Sequence, residues 1–291
     1  MHTLSGVFCA LWTPTDQSGA VLWPALERNI KFIVDSGIHG FMALGSTAEF
    51  PHLSIAQRKE ILARVVRTHL PVIANVSDVS HRIAIDLALH AKEVGAVAIA
   101  VLPPWFFPTS QSDLAEFFIA VSRDSGMPLI LYNFPEVTGK KIEPDTIRRV
   151  ADQVRVLAVK QSGADFQYHH ELLGLAKQYS FSVLTGADTS LAKCLQIGCS
   201  GTVSGLANSV PDVLASIYKQ VEKKEAASRE SAFMTELGTR MDSLEFPYNV
   251  KAAIAARGFE TGQPKNPASP ETLRRYETLV QDLKALYAKL T

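Results

Sequence analysis

Val154-Arg155-Val156-Leu157-Ala158-Val159-Lys160-Gln161-Ser162-Gly163 is an apolar run that ends in a primary amine and passes at once into a polar loop closed by glycine. The run is short, rich in β-branched residues and bounded by turn formers, the pattern of a buried strand. Lys160 therefore stands where a core strand meets a loop. Burial disfavours an ammonium ion and can lower a lysine pKa by up to ~3–5 units, leaving a neutral amine able to attack a carbonyl. Lysines at strand ends are more often solvated or ion-paired, so the rest of the chain has to decide between the two readings.

Seven further runs share this character: Gly6 to Trp12, Gly40 to Leu44, Val72 to Val76, Val97 to Leu102, Leu129 to Tyr132, Phe181 to Leu184 and Gly201 to Ser204. They recur at intervals of about 25–30 residues with amphipathic stretches between them, the alternation of parallel βα units. Eight such units predict an α/β chain folded as a (β/α)8 TIM barrel. Ser54 with Gln57 forms a capping-box pattern, and Pro144 and Pro211 suit first helical turns. Residues 1–210 are assigned to the barrel. Residues 211–291 are assigned to its last helix and a C-terminal helical extension of the same structural unit, broken at Glu245-Phe246-Pro247 and Gly262-Gln263-Pro264-Lys265-Asn266-Pro267. The last helix is expected to open with Ser269 as cap and Pro270 inside it. The extension is expected to pack on the outside of the barrel or on a partner.

A chain of 291 residues, 47% hydrophobic, can fill one barrel core. Lys+Arg and Asp+Glu both number 29, so no electrostatic imbalance points to nucleic acid or a membrane surface, and a small molecule is the expected partner. Cys9, Cys194 and Cys199 form neither a CxxC pair nor a cysteine-histidine cluster, which fits reduced thiols in a cytosol. The opening Met1-His2-Thr3-Leu4-Ser5-Gly6 lacks a basic region leading into an apolar stretch, and no segment reaches the ~20 apolar residues of a membrane span. A cytoplasmic location without membrane contact is expected.

Barrel enzymes place their chemistry at the C-terminal ends of the strands. Three segments fall there: Gly45-Ser46-Thr47-Ala48-Glu49 after strand two, Tyr132-Asn133-Phe134-Pro135 at strand five and Lys160 at strand six. Each has an ordinary alternative as a cap, a rim aromatic or a tight bend. Together they share one barrel mouth. A protonated imine on a buried lysine is an electron sink that lets a neighbouring carbon-carbon bond break to an enamine. Tyr132 with Thr47 can relay a proton, and backbone N–H groups of the Ser46-Thr47 turn can hold a carboxylate. No metal is called for, and His169-His170-Glu171 lacks ligand spacing and is expected on a helix surface.

Through Gly45-Ser46-Thr47-Ala48-Glu49, the Tyr-Asn-Phe-Pro-Glu-Val-Thr-Gly segment, Val159-Lys160 and Gly186-Ala187-Asp188, the chain resembles the dihydrodipicolinate synthase and N-acetylneuraminate lyase family of pyruvate-dependent class I aldolases. The likeness spans about Gly6 through Asn208, with the helical tail. It implies a barrel, often tetrameric, in which Lys160 forms an imine with pyruvate or a 2-keto acid, with no other cofactor. Tyr132 is then the proton shuttle, with Ser46 and Thr47 linking it into a hydroxyl relay. Ser46, Thr47, Gly186, Asp188 and Val203 make up the implied substrate-binding set.

Departures from the family pattern narrow the substrate. The synthase branch has arginine at the position of Val137 and an interface-crossing tyrosine at that of Phe106. Losing the guanidinium is expected to cost a carboxylated aldehyde on the order of 2–5 kcal/mol if that contact is buried. The neuraminate branch has glutamate at the position of Thr189. The Tyr132 to Gly139 segment most resembles 2-keto-3-deoxy sugar acid aldolases, which release pyruvate and an aldehyde. Trp105-Phe106-Phe107 either lines the pocket or sits in a subunit contact, and Asp188 either meets substrate hydroxyls or begins a helix. A dihydrodipicolinate synthase-like or N-acetylneuraminate lyase-like enzyme, a dehydratase acting through the same imine, a silent keto-acid-binding barrel, and a phosphate-binding isomerase using Gly186 and Gly201 to Gly205 are the alternatives.

Overall fold

All eight apolar runs form strands, and their pairing closes on itself. The computed structural model describes residues 4–163 and 165–290; residues 1–3 of the N-terminal stretch considered above lie outside the described residues. The elements are β1 (Gly6–Ala10), α1 (Trp23–Asp35), β2 (Gly40–Ala43), α2 (Ile55–Val65), β3 (Val72–Asn75), α3 (His81–Val94), β4 (Ala98–Val101), α4 (Gln111–Ser125), β5 (Leu129–Asn133), α5 (Pro135–Thr138), α6 (Pro144–Ala151), β6 (Val156–Gln161), α7 (Phe166–Tyr179), β7 (Ser182–Thr185), α8 (Leu191–Gln196), β8 (Gly201–Ser204) and α9 (Pro211–Glu222). Each strand pairs in parallel with the next and β8 returns to β1, forming a closed TIM barrel. Strands covered on both faces need apolar residues at successive positions, which is why short continuous runs marked them. β6 begins two residues later than the apolar run and extends through Lys160, so the amine stands on the strand itself.

The start signals also act where the sequence places them. The Ser54 side chain accepts from the Gln57 N–H while the Gln57 side chain accepts from the Ser54 N–H. Pro144 and Pro211 open α6 and α9. After α9 come α10 (Ser228–Met241), α11 (Tyr248–Ala256) and α12 (Pro270–Tyr287), the last capped by Ser269. These helices pack on the barrel's own rim: α10 against the turn Asp188–Ser190, α11 against the turn Leu206–Asn208, and α12 against α10 and α11. Among the described residues no helix is long and apolar enough to cross a membrane, and all three cysteines are free and buried.

The His169-His170-Glu171 stretch departs from expectation. His170 and Glu171 are exposed on α7, but His169 is fully buried. Successive helical residues point about 100° apart, so one of two adjacent histidines turns inward. Its Nδ1 lies 2.8 Å from the Asp165 carbonyl oxygen and its Nε2 3.1 Å from Thr185 Oγ1, tying α7 to the end of β7.

Barrel closure depends on a close approach of β8 to β1. A Cβ on Gly201 would lie 2.0 Å from the carbonyl oxygen of Gly6, whereas one on Gly174, within α7, would meet nothing within 4 Å. Gly201→Ala should destabilise the fold by about 1–3 kcal/mol or more through backbone displacement. Gly174→Ala should stabilise it by roughly 0.5–1 kcal/mol. Urea unfolding midpoints of the two variants check this contrast, and equal midpoints would contradict it.

Candidate active site

Tyr132 on β5 and Lys160 on β6 are register partners, and partnered residues on neighbouring strands present their side chains to the same face. Both are buried, at 2% and 3% exposure. Lys160 Nζ lies 3.9 Å from the centre of the Tyr132 ring, and the Tyr132 hydroxyl donates to Ser46 Oγ at 3.3 Å. Phe134 stacks against the same ring, with centroids 6.1 Å apart. Amine, phenol and hydroxyl thus meet within one buried cluster.

The Ser46 hydroxyl is delivered by a single helical turn, Ser46–Ala48, that follows β2. Leu44 before it and Glu49 after it both adopt left-handed backbone conformations, at φ 64° and 54°, so the chain reverses sharply on either side. Asn75 at the end of β3 holds the approach by donating to the Leu44 carbonyl at 2.6 Å, and accepts from Ser77 Oγ at 2.6 Å. Thr47 is buried, its Oγ1 3.2 Å from the position a Cβ on Gly205 would take. The phenol's hydrogen bond therefore goes to Ser46, while Thr47 faces the loop after β8.

Gly186 follows β7, its N–H donating to the Gln161 carbonyl at 2.7 Å, and a Cβ there would press on Ser162 at 3.0–3.1 Å. Val203 is buried on β8 beside Phe8 of β1. Asp188 Oδ2 accepts from the Leu206 N–H at 3.0 Å, while Oδ1 is buried without a hydrogen-bond partner. Burial pushes the Asp188 pKa up to about 6, against the Leu206 N–H, the Ser204 hydroxyl and the charge of Lys160, which all favour the carboxylate. Asp188 and Lys160 thus interact electrostatically across the site.

Above Ser46 opens a cavity of about 320 Å³. Phe50, Trp105, Val137 and Phe246 supply apolar walls, and Thr138, His52 and Asn266 supply hydrogen-bonding groups. Val137 lines it as an apolar side chain. Trp105 packs edge-on to Phe50 at 5.7 Å, whereas Phe106 and Phe107 are 73% and 71% exposed. Lys140 holds that loop by donating to the carbonyls of Pro104 and Phe107. Thr189 faces away from the mouth, against Gly238 of α10. A larger cavity of about 430 Å³ between α9 and α10 is lined by surface charges such as Glu236 and Lys289, which pair with each other, and by none of these reactive groups.

Sequence reading missed the Asn75-Ser77 support, the Asn266-His52 contact at 3.2 Å and a buried ion pair between Lys265 Nζ and Glu49 Oε1 at 3.1 Å. The one available signal was polar residues within an apolar strand end, as at Asn75.

The raised Asp188 pKa has a signed consequence. Between about pH 4 and about 6 the folded chain retains a proton that the unfolded chain releases, so this group's contribution to stability falls as pH rises through that window. Asp188→Asn removes the titration. Its stability relative to the parent should improve by on the order of 2–3 kcal/mol between pH 4 and pH 7, as measured by urea unfolding at both pH values. A difference independent of pH would contradict a buried carboxyl.

Comparison with known proteins agrees with this geometry. Residues 3–286 match the family model described as the Dihydrodipicolinate synthetase family. A 4-hydroxy-tetrahydrodipicolinate synthase of Staphylococcus carnosus is 30% identical over 257 residues, covering 87% of each chain. One from Staphylococcus epidermidis is 28% identical over 290 residues, covering 98% of each. Among solved structures, YagE, a prophage protein of E. coli K12 described as belonging to the dihydrodipicolinic acid synthase family and crystallised with pyruvate, superimposes with a TM-score of 0.90 at 26% identity, over 98% of this chain and 99% of its own. The chain belongs to the dihydrodipicolinate synthetase family, whose members are pyruvate-dependent class I lyases.

Proposed function

We propose that the protein cleaves a 2-keto-3-deoxy sugar acid reversibly to pyruvate and an aldehyde. The observation that carries this reading is the buried Lys160 amine 3.9 Å from the Tyr132 ring, whose hydroxyl bonds to Ser46. The Lys160 amine adds to the C2 carbonyl and, with one proton taken up from solvent, the carbonyl oxygen leaves as water, giving a protonated imine. The C4 hydroxyl then loses its proton to the Tyr132-Ser46 pair as the C3–C4 electrons move into the imine, releasing the aldehyde and leaving an enamine. Protonation at C3 and hydrolysis return pyruvate and the free amine. Because the imine nitrogen is the electron sink, the scheme calls for no cofactor or metal.

The remaining groups fit supporting roles. The first N–H groups of a helical turn have no partner within it; here they belong to Ser46 and Thr47, and they suit the substrate carboxylate. Asp188 Oδ1, buried and unpartnered, suits a substrate hydroxyl. Gly186 lets the β7 loop approach Ser162 closely, and the buried Val203 of β8 suits an apolar contact. Aromatic faces interleaved with Thr138, His52 and Asn266 suit a polyol, and Val137 offers nothing to a second carboxylate. That disfavours dihydrodipicolinate synthesis, although the relatives carry that name. Thr189, turned toward α10, offers no contact to a sialic acid tail. Dehydration through the same imine is the second reading, favoured by the raised Asp188 pKa, which suits a proton donor to a leaving hydroxyl. The paired, exposed Phe106 and Phe107, 4.8 Å apart, suit a subunit contact in the homotetramer that the family resemblance implies.

Pyruvate release from a panel of 2-keto-3-deoxy acids, with N-acetylneuraminate cleavage and aspartate semialdehyde condensation as controls, tests this reading. We expect turnover on the sugar acids, none in Lys160→Ala and a loss of about 10²–10⁴-fold in Tyr132→Phe. Turnover confined to the controls, or retained by Lys160→Ala, would overturn it. Val137→Arg should raise kcat/KM for aspartate semialdehyde by about tenfold or more through a new charged hydrogen bond, and an unchanged ratio would place Val137 outside the aldehyde's path.

A further inference from the structure

Behind the mouth the chain buries two amines beside one partly exposed carboxylate. The Lys265 side chain is 3% exposed and its Nζ pairs with Glu49 Oε1 at 3.1 Å, donates to the Thr13 carbonyl at 2.8 Å and lies 4.7 Å from the Trp12 ring centre. Lys251, on α11, is 5% exposed, and its Nζ is buried with no hydrogen-bond partner. Burial and the charge of Lys265 push the Lys251 pKa down to about 8, with Glu49 acting in the opposite direction. Glu49 is already committed to Lys265. The cluster therefore carries one cation more than it has anions, and a buried unpaired charge is strongly unfavourable.

A cavity of about 250 Å³ lies against Lys251, between α11, α12 and the loop that carries Lys265. Tyr248, Tyr276 and Gln263 offer hydrogen-bonding groups, while Pro264 and Leu273 offer apolar surface. The Tyr276 ring centre is 6.0 Å from Lys251 Nζ, and its hydroxyl is bonded to the Thr261 side chain. Glu277 is the acidic residue of the lining and is exposed. We propose that this cavity binds a small monocarboxylate, with its carboxylate over Lys251, whose side chain turns from its sealed position to meet it, and its carbon skeleton against Leu273, Pro264 and the tyrosine rings. A doubly charged oxyanion fits less well, because Lys251 is the only cation lining the cavity among the described residues and Glu277 opposes a second negative charge. The site is distinct from the barrel mouth. The two are separated by the Lys265-Glu49 pair, whose Glu49 borders the mouth cavity and directly follows the Ser46–Ala48 turn.

Titration calorimetry of the full chain with benzoate, butyrate and inorganic phosphate tests the proposal, each run repeated at saturating pyruvate to separate this site from the barrel mouth. At least one monocarboxylate should bind one-to-one with pyruvate present, at least about tenfold more tightly than phosphate. Lys251→Met should weaken that binding by about tenfold or more. Should Lys251→Met fail to fold, Leu273→Trp keeps the amine while filling the cavity, and should produce the same loss with an unchanged circular dichroism spectrum. The absence of saturable carboxylate binding, its displacement by pyruvate, undiminished binding in either folded variant, or phosphate binding as tightly as the carboxylates would each overturn it.

Discussion

The in-register pairing of β5 with β6 is the constraint on which the rest depends. It places Tyr132 opposite Lys160, and because side chains alternate along a strand, a slip of one residue would turn one of them to the other face. That register is one segment of a closed ring of eight ladders, so it cannot shift without disturbing the others. Closure in turn requires backbones to approach at Gly201, opposite Gly6, and at Gly40, where a Cβ would lie 2.4 Å from the Pro71 carbonyl oxygen. The adjacency of amine and phenol is therefore a property of the whole barrel.

Around that pair the mouth is assembled from loops, each tied down by a buried polar contact. Asn75 fixes the approach to the Ser46 turn through the Leu44 carbonyl, Asp188 fixes the β8 loop through the Leu206 N–H, and Lys265 fixes the C-terminal loop through Glu49 and Thr13. Buried hydrogen bonds of this kind are costly to leave unmade and so specify one arrangement. The helices after the barrel contribute to the site as well. Phe246 and Asn266 line the mouth, and Gly262 pairs with Thr15 beyond β1. Shared membership of a barrel family does not choose the aldehyde; the residues of this rim do.

The parts of this structure legible in the sequence are those with local causes. Strands buried on both faces declare themselves as bounded apolar runs, and Ser54, Pro144, Pro211 and Ser269 mark helix starts by their own chemistry. Parallel order then brings Tyr132 and Lys160 to neighbouring strands. Features that depend on long-range placement were hidden. Lys265, flanked by prolines in a polar loop, gives every local sign of a solvated residue, yet it is buried because the loop folds back over Trp12. Lys251 lies in a helix with little polar face, and its lack of a partner is visible only in three dimensions. His169 and His170 are identical in type, and helix orientation alone decides which one is buried. Of the two hydroxyls expected in the relay, it is Ser46 that bonds to the Tyr132 phenol, a choice set by how the turn after β2 is seated against β5 and not by any local feature of the sequence.

The central claim is that the Lys160 nitrogen bonds covalently to C2 of a keto acid. Borohydride reduction in the presence of pyruvate, followed by peptide mass mapping, tests it most directly. The account predicts one reduced pyruvyl adduct per chain, located on Lys160 and formed also in Tyr132→Phe. An unmodified protein, or an adduct located on Lys251 or another lysine instead, would contradict it.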